Sequence, residues 1–166
     1  DVDEAYCLKV IQGKTGVLFS IAAEQPAMLT ERPEAEISAM AHYGMHLGIA
    51  FQLIDDSLDY SGDPQQLGKS LGNDLSEGKP TLPIIYALQH ASAEQAQLLK
   101  TALTQGDQNK LMTIIPILQS TSALEYTRTL ARHYIEKSLT YLNLIPDSDY
   151  RQALAHLTTF AIERSY

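Results

Sequence analysis

Hydrophobic residues recur every three to four positions along nearly the whole chain, the spacing that lays one apolar face along an α-helix. Val2, Ala5, Leu8, Ile11, Val17, Leu18 and Ile21 trace a first helix from about Asp3 to Leu29, with Pro26 near its end to kink or stop it. Pro33 suits the opening turn of a second helix, because the N–H it lacks has no helical partner there. That helix carries Met40, Tyr43, Leu47, Ala50, Phe51 and Ile54 on to a group of aspartates. From Ser61 to Lys79 the periodicity fails, and Gly62, Pro64, Gly68, Gly72 and Gly78 punctuate a polar loop. A loop of that length inside a compact domain points to a function.

Pro80 opens the next helix, through Ile84, Ile85 and Leu88. Four more follow. Ser92 and Gln95 form a capping box ahead of Ala96–Leu103, and Gly106 ends that helix. Asp107 can cap the next, which bends at Pro116. Ser122 and Glu125 make a second capping box before a long helix to about Leu144; Pro146 and Asp147 then break the chain, and Tyr150–Arg164 closes it. No strand-like alternation occurs. The pattern predicts an all-α fold, an antiparallel helical bundle, as a single helical domain over residues 1–166.

The second helix carries the chemistry. Gln52, Asp55, Asp56 and Asp59 are spaced i, i+3, i+4, i+7, a continuous polar line on a helix that is otherwise apolar. Acids near a helix C-terminus oppose the macrodipole by roughly 0.3–1 kcal/mol each. Ile49, Ala50, Phe51, Leu53, Ile54 and Leu58 are too apolar to flank a freely solvated stripe. A cation between the carboxylates answers both difficulties. Oxygen-only ligands suit Mg²⁺, which keeps several waters and bridges carboxylates to substrate phosphates.

Composition narrows the choice. With 166 residues, 45% of them hydrophobic, the chain can bury a core. Its net charge of −8 argues against general nucleic-acid binding, which needs a basic face. Cys7 is the only cysteine, so neither a disulfide nor a cysteine metal site can form within the chain. No apolar run approaches the roughly 18 residues of a membrane span, which makes a soluble, cytoplasmic protein the default expectation. The pair His42 and His46 lacks the glutamate of a zinc-protease helix, and no nucleophile motif is present. The chain opens on Asp1, not Met, and enters a helical pattern almost at once, as processing or a piece of a longer protein would give.

Two groups of basic residues remain. Lys69 and Lys79 lie in glycine-bearing loop segments, where lysine can bind phosphate as a point charge, although no P-loop motif is formed. Lys14-Thr15 sits between Gly13 and Gly16 in the first helix, where each glycine costs about 1 kcal/mol relative to alanine. Close helix packing explains such glycines, and so does access of Lys14 and the Thr15 hydroxyl to a ligand.

Together these residues make a specific set. Gly48-x-x-Phe51-Gln52-x-x-Asp55-Asp56-x-x-Asp59-Tyr60, then Gly68-Lys69-x-x-Gly72-x-Asp74-x-x-x-Gly78-Lys79-Pro80-Thr81-Leu82-Pro83, resembles the second aspartate-rich region of all-trans polyprenyl diphosphate synthases. Lys14-Thr15 resembles the family's lysine–threonine pair, and the likeness runs over nearly the whole chain. Within the family it is most like the bacterial octaprenyl diphosphate synthases. The resemblance implies the C-terminal part of the isoprenoid-synthase fold and a homodimer of the full-length protein. It also implies condensation of isopentenyl diphosphate with an allylic diphosphate, giving a long-chain product for quinone side chains, with at most peripheral membrane contact. Carried over, Asp55 is the direct ligand of one Mg²⁺, with Asp56 and Asp59 acting through its waters. Lys14, Thr15, Gln52 and Lys69 then hold the allylic diphosphate, with Lys79 near it.

The family's first aspartate-rich motif, the arginine pair after it and the residues that hold isopentenyl diphosphate do not occur in these residues. The chain therefore reads as the C-terminal half of such an enzyme, inactive alone. Two other readings carry less: a non-catalytic partner subunit, whose motif would be eroded where this one is intact, and a terpene cyclase, whose second metal motif is usually built from asparagine, serine and glutamate.

Overall fold

The computed structural model describes residues 2–61 and 71–163, and every regular element among them is helical. In chain order these are α1 (Glu4–Ile11), a π turn (Gln12–Gly16), α2 (Val17–Leu29), α3 (Glu34–Leu58), α4 (Asn73–Ser76), α5 (Leu82–His90), α6 (Ala93–Gln105), a 3₁₀ turn (Gln108–Lys110), α7 (Leu111–Ser120), α8 (Ala123–Leu142) and α9 (Asp149–Glu163). Among the described residues no helix is long and apolar enough to cross a membrane.

The first helix starts where expected, with Asp3 Oδ1 accepting the Tyr6 N–H at 2.8 Å. It continues past Pro26 for about one more turn, and the Pro26 carbonyl accepts both the N–H and the hydroxyl of Thr30. Helix α3 follows from Pro33, whose carbonyl accepts the Ile37 N–H at 3.1 Å. The capping box of α6 forms in full. Ser92 Oγ accepts the Gln95 N–H at 3.2 Å, Gln95 Oε1 accepts the Ser92 N–H at 3.0 Å, and Gly106 ends the helix at φ 60°. Replacing Ser92 with alanine should therefore cost about 1 kcal/mol, read as a lowered midpoint in chemical denaturation.

Three expectations need correction. The stretch from Ser61 to Lys79 is not all loop, because α4 forms within it. The helix expected from Pro80 starts instead at Leu82, after Thr81 in extended backbone, with Pro83 in its first turn. Ser122 takes φ 57° where an N-cap takes extended backbone; its N–H donates to Gln119 and its carbonyl accepts from Tyr126, giving a tight junction between α7 and α8.

The helices gather into two compact units, one within residues 1–7 and 53–129, the other within 8–52 and 130–164. The first packs Leu75 of α4, Ile84 of α5, Leu99 of α6 and Leu118 of α7 into one core, none of them measurably exposed. The second packs Tyr43, Leu47 and Ala50 of α3 against Ile135 and Leu142 of α8 and Ala161 of α9. There the buried Tyr43 hydroxyl lies 3.0 Å from Thr158 Oγ1, and Ser138 Oγ donates to the Tyr43 carbonyl at 2.9 Å. The His42 and His46 rings stack on Tyr141 at 4.7 and 5.4 Å. Each directs Nδ1 at a backbone carbonyl one turn back, and since a carbonyl only accepts, both Nδ1 atoms carry the proton.

Candidate diphosphate and metal site

Helix α3 delivers Gln52, Asp55 and Asp56, and ends one residue before Asp59. The three acids are not equivalent. Asp55 is half-buried, whereas Asp56 is 3% and Asp59 2% exposed. The apolar flank that argued against free solvation is itself buried: Ile49, Leu53 and Ile54 at 1, 0 and 5%. Among the described residues no three histidine, cysteine, aspartate or glutamate side chains form a group that could hold a metal ion unaided. Mg²⁺ does not require such a cage, since it commonly takes one or two carboxylates and completes its shell with water and phosphate. The most open carboxylate of the triplet, Asp55, fits that demand.

Asp59 engages the start of α4. Its Oδ1 accepts the Asn73 N–H at 3.2 Å and its Oδ2 the Asp74 N–H at 3.0 Å. At the other end of α4, Gly78 adopts φ 66°, its N–H bonded to the Leu75 carbonyl and the Lys79 N–H to the Asp74 carbonyl at 2.9 Å. This pair of bonds is the Schellman pattern, which needs a left-handed residue where Gly78 stands. It fixes the backbone of Lys79. The Lys79 ammonium pairs with Glu77 and lies 3.9 Å from Asp74 Oδ1. The hydrogen bond to Glu77, then the charges of Glu77, Asp74 and Asp56, hold it above the usual lysine range. Lys69, expected on the allylic diphosphate, lies outside the described residues.

In the second unit, Lys14 and Thr15 occupy the π turn. Single π turns inserted in α-helices are frequent at functional sites. Thr15 Oγ1 donates to Gln52 Oε1 at 2.9 Å, which brings together two residues 37 apart in sequence. Lys14 is exposed. The flanking glycines divide the two explanations between them. A Cβ on Gly16 would sit 2.6 Å from Met45 Sδ, whereas one on Gly13 would find nothing within 4 Å. Gly16 is there for packing. Gly13 borders open space beside Lys14.

Burial near the acids has a chemical consequence at Cys7. Desolvation first, then the charges of Asp56 and Glu4, push its thiol up to about 12. The thiolate is the reactive form, so native protein at pH 8 should react with a thiol reagent at least about 100-fold more slowly than denatured protein. Counting labelled thiols before and after denaturation checks this.

Three features had little or no signal in the sequence. The π turn shows only as two glycines. The hold of Asp59 on α4 joins residues 14 and 15 positions apart through backbone amides, which no side-chain motif records. The close approach of α2 and α3 at Gly44 and Gly48 is legible in part, as glycines four apart in an apolar helix.

Comparison with known proteins places this geometry. A family profile described as polyprenyl synthetase matches residues 1–118. The chain is 42% identical to octaprenyl diphosphate synthase of Escherichia coli (strain K12), over 99% of this chain and 51% of that protein. It is 38% identical to octaprenyl diphosphate synthase of Haemophilus influenzae, over 100% of this chain and again 51% of the relative. Among solved structures it superimposes on a polyprenyl synthase of Caulobacter crescentus complexed with calcium and isoprenyl diphosphate. The TM-score is 0.93 at 34% identity, over 100% of this chain and 51% of that one. The chain thus spans about half the length of the curated relatives it matches, and its helices take the isoprenoid-synthase fold. An intact Gln52-x-x-Asp55-Asp56-x-x-Asp59 line, a threonine on its glutamine and these likenesses agree: the chain belongs to the polyprenyl synthetase family.

Proposed function

We propose that the full-length protein carrying this chain is a trans-prenyltransferase that condenses isopentenyl diphosphate with an allylic diphosphate to make a long-chain polyprenyl diphosphate. Octaprenyl is the expected product. The observation that carries the reading is the Thr15–Gln52 hydrogen bond on the helix that also bears Asp55 and Asp56. By occupying the Gln52 carbonyl oxygen, the Thr15 hydroxyl orients the Gln52 side chain, whose amide NH₂ is the neutral donor we assign to a phosphate oxygen. The Caulobacter relative, solved with calcium and isoprenyl diphosphate, supports that ligand class.

Asp55 is the residue to hold Mg²⁺, with Asp56 behind it. When bound, the ion neutralises the charge that develops on the departing diphosphate. Thr15, Gln52 and Lys14 orient that diphosphate, and Lys69 and Lys79 add positive charge. In this reading the chain supplies one of two facing halves of the active site. The intact motif does not favour a non-catalytic partner subunit. A homodimer and a cytoplasmic location remain part of the same proposal.

Relatives of similar identity make octaprenyl and all-trans-nonaprenyl products, so product length is a matter for measurement. The test is incorporation of labelled isopentenyl diphosphate by the full-length protein with geranyl and farnesyl diphosphates as primers, with and without EDTA. EDTA-sensitive incorporation ending at the octaprenyl product is the expected result. No incorporation with any allylic primer overturns the proposal.

A further inference from the structure

Asp59 stands where the motif calls for a metal-binding acid, yet both oxygens of its carboxylate accept backbone amides. Oδ1 takes the Asn73 N–H, Oδ2 the Asp74 N–H, and its own carbonyl takes the Gly72 N–H at 2.8 Å. One residue thus holds three successive amides. A buried acid just past the C-terminus of α3 faces the negative end of that helix, which disfavours its charge. The first N–H groups of α4 supply the opposing positive ends. The buried charge of Asp59 is therefore answered from within the chain, and no cation is required to explain it. Gly72 takes φ 76°, and a Cβ there would come 2.9 Å from Leu111, so this return point is also fixed sterically. Through the four residues of α4 and the Schellman turn at Gly78, the same anchor sets the backbone of Lys79.

We infer that Asp59 is a positioning residue that anchors Gly72–Asp74, and through them α4 and Lys79, rather than a ligand of the metal. Its catalytic consequence rests on the proposed function; the anchor does not.

Amide hydrogen exchange and Mg²⁺ titration of the full-length protein, with Asp59→Ala and Asp59→Asn, test it. Asparagine keeps one acceptor oxygen, enough for one of the two amides, and turns an NH₂ donor toward the other, whereas alanine has no acceptor. Exchange at both Asn73 and Asp74 should quicken about 10-fold or more in Asp59→Ala, whereas in Asp59→Asn only one of the two should, the amide on the remaining oxygen changing by less than about 3-fold. The Mg²⁺ concentration for half-maximal turnover should stay within about 2-fold of wild type in both, with kcat lowered more by alanine than by asparagine. Unchanged exchange in Asp59→Ala overturns the anchor. So does an Asp59→Asn protein that keeps one of the two amides protected but needs about 10-fold more Mg²⁺. Should Asp59→Ala not fold, Asp59→Asn decides: unchanged exchange at both amides, or the raised Mg²⁺ requirement, overturns the anchor. Full-length protein without turnover defeats the proposed function alone, and exchange still judges the anchor.

Discussion

Replacing Gly44 with alanine should destabilise the unit formed by α2, α3, α8 and α9 by about 2–3 kcal/mol or more. A Cβ at that position would lie against the backbone carbonyl of Phe19, 2.7 Å from its carbonyl carbon and 2.9 Å from the Ser20 Cα. The obstacle is main chain, so no side-chain rotation relieves it and the two helices must part. Alanine favours a helix over glycine by about 1 kcal/mol, so any net loss is the steric cost exceeding that gain. Gly48 shares the contact, its Cβ falling 2.9 Å from the Gly16 Cα and 3.0 Å from the Phe19 Cβ. The same approach brings Thr15 within hydrogen-bond distance of Gln52, and parting the helices lengthens that bond. Gly13→Ala is the matched control, because its Cβ meets nothing within 4 Å. Its stability should stay within about 1 kcal/mol of the parent. Denaturant melts of the two variants decide; equal losses would mean that glycine content, not contact with Phe19, governs this helix pair.

The same contrast marks what could be read from sequence. Helix α3 was legible end to end, because Met40, Tyr43, Leu47, Ala50 and Ile54 repeat at helical spacing and the acids interrupt them only at the end. Ser92 and Gln95 gave the start of α6 and Gly106 its end, since both signals are local and a cap needs only a few residues. Ser122 and Glu125 carried the same letters as a capping box. The chain between α7 and α8 has room for only a short turn, and Ser122 adopts left-handed backbone to make it. Pro80 and Pro83 each suit a first helical turn, and periodicity does not choose between them.

The acid triplet was found for a reason that more than one kind of partner can satisfy. Three carboxylates against a helix C-terminus and an apolar flank require compensation, and a cation is one form it takes. For Asp59 the compensation is a pair of amides from Asn73 and Asp74. Those donors belong to backbone, which every residue carries, so the sequence does not mark them. The pairing of Thr15 with Gln52 was likewise invisible: the resemblance named both residues but not as partners, and the structure brings them to 2.9 Å.

Asp55 is then the position where removing a carboxylate should have the largest effect on activity. In the full-length protein Asp55→Ala should lower condensation turnover by about 100- to 1000-fold, roughly 3–4 kcal/mol of lost transition-state stabilisation. Its melt should move by no more than about 0.5 kcal/mol, because the side chain is only half-buried. That separation is what makes Asp55 informative. Asp56 is 3% exposed and its charge acts on Cys7, so Asp56→Ala would disturb packing and site together. Asp55→Asn keeps the shape and one acceptor oxygen but not the charge that attracts a cation. Its turnover should recover partly as Mg²⁺ is raised, whereas a purely structural defect would not respond to the ion. Near-wild-type turnover in Asp55→Ala would remove the metal from this end of α3, and with it the reason for placing the allylic diphosphate beside Gln52.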